Sequence, residues 1–168
     1  MNPLESFRLM AGYNRWMNEK LYACCGSLSD EERRRDRKAF FGSIHGTLNH
    51  LLLGDRGWLG RFHGEPWTFR SLDQEIYADF AELRAERAKT DGAIEDFVAS
   101  LTPERLAEDF SYTNYAGKTF RHPLAPALLH FFNHQTHHRG QVTTLLSQAG
   151  VDPGVTDLVA YYRESRGA

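Results

Sequence analysis

The sequence predicts an all-α chain: an up-and-down four-helix bundle with a short C-terminal helix and a loop or small β-hairpin before the fourth long helix. Two observations carry this. Apolar residues recur every three or four positions through four long stretches, the spacing of helices that each bury one face. Between residues 109 and 121 the spacing changes to polar alternating with aromatic, which is the strand period. At 168 residues the chain reads as one domain, 1–168, large enough to bury a core without staples.

The first helix runs from about Pro3 to Ser27, with Phe7, Met10, Tyr13, Met17 and Leu21 on its buried face. The mixed-sign run EERRRDRK, Glu31 to Lys38, breaks that pattern and predicts a solvated connection. A second helix, about Phe41 to His63, carries Ile44, Leu48, Leu51, Trp58 and Phe62, and Gly64 and Pro66 mark its end. Ser71, with Gln74 three residues on, has the pattern of a capping box. It would open a third helix that carries Leu72, Ile76, Phe80, Leu83, Ile94 and Phe97 to about Ser100 before Pro103 stops it. DFSYTNYAGKTFRH follows as the loop or hairpin. The fourth helix spans about Pro123 to Gly150, where Gly followed by Asp152-Pro153 ends it, and the short last helix covers Asp157 to Ser165.

Composition narrows the function. The chain is 41% hydrophobic and 25% charged with a net charge of -2, which gives no electrostatic reason to expect nucleic acid or an anionic membrane. No apolar run approaches the roughly 20 residues of a membrane span, and MNPLESFRLM lacks the plan of a signal peptide, so a cytoplasmic location is expected. Cys24 and Cys25 are adjacent, which suits reduced thiols near a helix end better than a disulfide or a zinc motif.

The histidines carry the chemistry. In LLHFFNHQTHHRGQ, His134 and His138 are one helical turn apart and project from one face, close enough to share an ion. Both lie at or beside the apolar stripe of their helix, and His50 borders the stripe of the second helix in the same way. Gly46, Gly54 and Gly57 cluster on the His50 side, which predicts close helix approach or space for a ligand. From spacing alone, hydrogen-bonded core or rim histidines account for the pattern as well as a metal site does. His130 and His137 suit pocket-lining or supporting roles, and His45, His63 and His122 are expected at the surface. Asp55, on the apolar side of its helix, is expected either in a salt bridge to a neighbouring helix or orienting a ligand histidine.

The blocks YNRWMNEKL, NHLLLGDRGW and NHQTHHRGQV, and the closing DLVAYYRE, resemble the DinB family of bacterial metal-dependent proteins, related to the YfiT-like group, nearly end to end. His134, His138, Arg139, Gly140 and Gln141 form the most specific element. The resemblance implies a four-helix bundle, often dimeric, in which three histidines on the second and fourth helices bind a divalent metal. By position these are His50, His134 and His138, the same three that the helical faces single out. The family name refers to DNA damage and is no evidence of DNA contact.

Three neutral histidines leave a coordination position for substrate, the plan of catalytic rather than structural sites. Imidazole suits zinc or nickel, and also iron or copper. Related families implied by the resemblance are thiol-dependent transferases and isomerases. The expected function is therefore a metal-dependent enzyme, of thiol S-transferase or hydrolase type, acting on a small molecule or with a low-molecular-weight thiol, and homodimeric. The alternative is a non-catalytic, stress-related bundle that binds metal or ligand. Glu65, Asp55 and His130 are the candidate general bases, and Tyr13 and Trp58 the candidate pocket walls.

Overall fold

The computed structural model describes residues 1–114 and 116–167. In chain order its elements are α1 (Pro3–Gly26), α2 (Asp30–Arg34), α3 (Ile44–Phe62), α4 (Phe80–Ala99), α5 (Pro103–Ala107), β1 (Asp109–Thr113), β2 (Thr119–Pro123), α6 (Leu124–Gln148) and α7 (Leu158–Glu164). The long helices α1, α3, α4 and α6 form the bundle. Their starts follow from side-chain caps on otherwise orphaned N–H groups. Asn2 and Glu5 close a capping box on α1, Ser43 accepts from the Gly46 amide on α3, and Asp79 accepts from Glu82 on α4.

Adjacency in the bundle is not sequential. α1 packs on α4 and α6, and α3 packs on the same two, so α1 and α3 face each other across a diagonal, as do α4 and α6. The connections through α2 and through α5 with the hairpin both cross a diagonal, which accounts for their length.

The interior has three layers. One apolar cluster gathers Phe7, Phe62, Ile94, Phe97, Leu128 and Phe131; a second gathers Met17, Leu48, Leu52, Leu83, Val142 and Leu146. Between the stretches of α3, α4 and α6 that feed these clusters lie Asp55, Arg87, Asp91, Gln135 and Arg139, all buried, with Asn14 and Asn18 of α1. Arg87 bridges Asp55 at 2.6 Å and Asp91 at 2.9 Å. Gln135 donates to Asp55, Asn14 and Asn18 donate to Asp91, and Arg139 donates to Asn14. This is a paired, hydrogen-bonded layer of the kind that makes buried charge tolerable.

The hairpin is present, with Phe110 opposite His122 and Thr113 opposite Thr119. Asn114 accepts from the Ala116 and Lys118 amides at the turn, and Gly117 takes φ +79°. Tyr115, within the expected 109–121 segment, lies outside the described residues.

Three expectations are corrected. The third long helix starts at Phe80, not at Ser71, and its cap is Asp79. Tertiary hydrogen bonds take over the backbone just before it: Asn49 accepts from the Ile76 and Tyr77 amides and donates to the Tyr77 carbonyl. Gln74 accepts from the Arg70 amide instead of completing a box with Ser71. Second, the charged run is more than a solvated connection. It holds the helix α2, and Arg33 and Arg37 keep side chains only 12% and 11% exposed. Third, His45 is buried at 1% exposure, its Nε2 3.0 Å from the Tyr77 carbonyl; His63 is exposed, while His122 is half-buried.

Both cysteines are free, and burial pushes the Cys25 thiol up to about 12, so it stays protonated and inert. Among the described residues no helix is long and apolar enough to cross a membrane.

Candidate metal centre

Packing of α3 on α6 brings the three histidines together. His50 Nε2 lies 3.3 Å from His134 Nε2 and 3.2 Å from His138 Nε2, and one ligand atom from each residue falls within 4.8 Å of the others. Two nitrogens bound tetrahedrally at about 2.0 to 2.1 Å from one ion would stand about 3.4 Å apart. The observed spacing fits that geometry. Gly54, one turn beyond His50, is the glycine that allows it: a Cβ there would sit 3.1 Å from His134 Cε1. The other two glycines of the cluster serve other contacts, Gly46 against the Phe41 carbonyl and Gly57 against the Trp67 ring.

The outer nitrogens fix the tautomers. His50 Nδ1 faces the Leu72 carbonyl at 2.7 Å, and a carbonyl only accepts, so Nδ1 carries the proton and Nε2 presents a lone pair. His138 Nδ1 faces Gln141 Oε1 at 2.8 Å, and with the amide turned this way, its own Nε2 towards His137, the His138 Nδ1 donates and its Nε2 again presents a lone pair. Two lone pairs therefore point at each other across 3.2 Å, an arrangement that repels unless a cation lies between them. His134 Nδ1 is buried without a partner among the described residues. The Phe41 ring stacks on His50 at 3.8 Å and 17°, covering one side of the site. The donor set thus fits a divalent ion with imidazole preference.

Burial makes all three imidazoles hard to protonate. His50 is lowered to about 4, and His134, with the neighbouring histidines adding to burial, to about 3; burial also lowers His138. Neutral imidazoles are what a metal requires. Because these pKa values lie below the unfolded value near 6.5, the unfolded chain takes up protons first as the pH falls. The metal-free protein is expected to lose stability from about pH 6.5 down towards about pH 4. Denaturant midpoints across that window check this, and a midpoint that rises on acidification contradicts it.

The remaining candidates separate cleanly. Asp55 is held by Arg87 and Gln135 and orients no histidine, so the salt-bridge expectation holds and its candidacy as a base falls. Glu65 sits in the exposed stretch after α3, against Gly60. His130 lies beside the triad, its ring 5.9 Å from His134 and 5.0 Å from Trp58. Tyr13 donates to the Thr156 carbonyl at 2.6 Å and packs on Tyr161, tying α1 to the C-terminal segment. His137 Nε2 lies 3.3 Å from Gln141 Nε2, behind the His138 contact.

Sequence reasoning gave Leu72 and Phe41 no place in the site, and Gln141 only a place in the element that resembles the DinB family. Gln141 carried a signal, since it lies three residues from His138 on one helical face. The Leu72 contact is made by backbone and leaves no mark on residue type. Outer-shell partners of ligand histidines are worth about 10- to 100-fold in metal affinity. Gln141→Ala is expected to weaken binding within that range, with Gln141→Glu retaining it, as read by chelator competition; unchanged affinity in Gln141→Ala removes the orienting role.

The sequence profile of the DinB family matches residues 1–166. Protein DinB of Bacillus subtilis is 28% identical over 158 residues, covering 89% of each chain. YfiT of Bacillus subtilis, described as a probable metal-dependent hydrolase with an unusual four-helix bundle topology, superposes with a TM-score of 0.68 at 15% identity, covering 87% of this chain and 89% of its own. A DinB-like protein of Bacillus cereus superposes with a TM-score of 0.61 at 22% identity, covering 83% and 90%.

Proposed function

This chain belongs to the DinB family, and from that premise we propose that it is a metal-dependent enzyme of hydrolase or thiol S-transferase type, acting on a small molecule at the His50, His134 and His138 centre. The observation that carries the reading is the lone pair that the Leu72 carbonyl fixes on His50 Nε2, which meets the Nε2 atoms of His134 and His138 at ion-binding distance. The description of YfiT as a probable metal-dependent hydrolase supports the hydrolase branch by analogy of fold.

Three protein ligands leave a position for substrate, and a bound zinc or nickel ion would act as a Lewis acid towards a water, a thiol or a substrate oxygen there. The chain supplies the rest. The Leu72 carbonyl and Gln141 hold His50 and His138 in the binding tautomer, and Phe41 shields the His50 ring. His130 is the one candidate base beside the triad; burial and then the positive charge of Arg61 lower its pKa, so it stands neutral and able to accept a proton.

Elemental analysis of the purified chain, followed by hydrolase substrates and a thiol-plus-electrophile screen, tests the proposal. Turnover that needs the metal, and falls in His130→Gln with the metal retained, is the expected result. A loaded protein inert to both substrate sets favours a ligand-binding bundle. A homodimer and a cytoplasmic location belong to the same reading. An accessible apolar cleft of about 720 Å³ between Pro3, Leu4, Leu106 and Pro126 supports the dimer, and a monomeric mass by light scattering at micromolar concentration rules it out.

A further inference from the structure

Arg61, in the last turn of α3, is buried at 8% exposure, yet among the described residues it forms no ion pair and its guanidinium donates to no acceptor. Three aromatic rings surround it instead. Its guanidinium carbon lies 4.7 Å from the Trp67 ring, 4.9 Å from Trp58 and 5.2 Å from Tyr112. Such rings stabilise a cation through their faces but do not satisfy its N–H fork, which matches the geometry of an oxyanion. Nε is buried without a partner, while the terminal nitrogens are not sealed in. Arg61 lines a cavity of about 480 Å³ between the Gly64, Glu65, Pro66 and Trp67 stretch and the hairpin residues Tyr112 and Asn114. The acid on this rim, Glu65, is turned to Gly60, its Oε2 3.4 Å from where a Cβ on that glycine would be.

We propose that Arg61 and its aromatic cage form a binding site for an oxyanion, a carboxylate or phosphate group carried by a small molecule. The site is separate from the metal centre and is joined to it by a row of rings: Trp58 lies 5.0 Å from His130, and His130 5.9 Å from His134. The cage fixes the orientation of the guanidinium before ligand arrives, so little side-chain freedom is lost on binding. A cation already desolvated and lacking a counter-charge gains more from an arriving anion than a surface arginine would.

The indole N–H groups of Trp58 and Trp67 report occupancy, and that of Trp16, which donates to Glu164 of α7, is the internal control. Inorganic phosphate and, separately, acetate are titrated into the metal-loaded protein at constant ionic strength, and again after chelation. Saturable shifts of the Trp58 and Trp67 signals, with Trp16 unmoved, are expected in both states. Arg61→Gln should weaken binding by at least about 10-fold, and Arg61→Lys by less. The tighter of the two ions identifies the source, a phosphate ester or a carboxylate. No saturation in the unaltered protein overturns the site, whatever the folding of the variants. So does binding that chelation abolishes and Arg61→Gln leaves intact, since that assigns the anion to the metal.

Discussion

His50→Ala, His134→Ala and His138→Ala are each expected to lose the bound ion, while His63→Ala keeps about one equivalent per chain. The loss should exceed the roughly 10- to 100-fold effect of an outer-shell partner, because a donor atom itself is gone and two imidazoles remain. Metal-dependent turnover should vanish with it. His63 is the right control because it is exposed. His45 is a poor one: it is buried against the Tyr77 carbonyl, and its removal would disturb the stretch that reaches His50. Gly54→Leu is expected to release metal as well, since added bulk there meets His134 first. Elemental analysis after gel filtration decides. A full equivalent retained by His134→Ala would sink the assignment.

Arg87→Met is expected to give the largest loss of stability. It removes the one cation that touches both Asp55 and Asp91, leaving two carboxylates in a layer where each is at most 2% exposed. Breaking a buried pair from one side costs about 3 to 5 kcal/mol, which for a chain of this size lowers Tm by roughly 6 to 20 °C. The pH dependence identifies the cause. In the native protein, burial already pushes Asp91 up to about 6 against the pull of Arg87. Without the pull of Arg87, Asp91 rises further above its unfolded value, so the folded state binds that proton more tightly and the deficit relative to wild type shrinks as the pH falls. A deficit that is constant between about pH 4 and pH 7 would show lost packing rather than stranded charge.

The long helices, and the helical faces that carry the three histidines, were legible in the sequence for one reason, while the reading of those histidines as one ligand set came from the family resemblance. Helices and faces both depend on periodicity: Ile44, Leu48 and Leu51 on α3, and His134 with His138 on α6, repeat at the helical period that burial imposes. What was not legible depends on tertiary contacts of backbone groups. Ser71 and Gln74 form a sound local signal for a helix start, but Asn49 and His50 claim the backbone between Leu72 and Tyr77, and the helix begins at Phe80 instead. The burial of His45 escaped for the same reason, because the chain that covers it has no regular structure and no pattern to read. Asp55 was readable as out of place on an apolar face, yet its partners Arg87 and Gln135 come from two other helices.

The Leu72 carbonyl that orients His50 belongs to that irregular stretch. A candidate ligand is thus tethered to a segment held on the bundle by polar contacts from α3 and from Arg34 of α2, and by the packing of Ile76 and Tyr77. Ion binding and ordering of residues 70–78 are thermodynamically linked, and linkage runs both ways with the same factor. Loading the metal should slow amide exchange across this segment, and a protease cut within it should speed the ion's escape. If both hold, the stretch between α3 and α4 governs how long an ion resides as well as where His50 points, and opening of this stretch is the expected route of metal exchange.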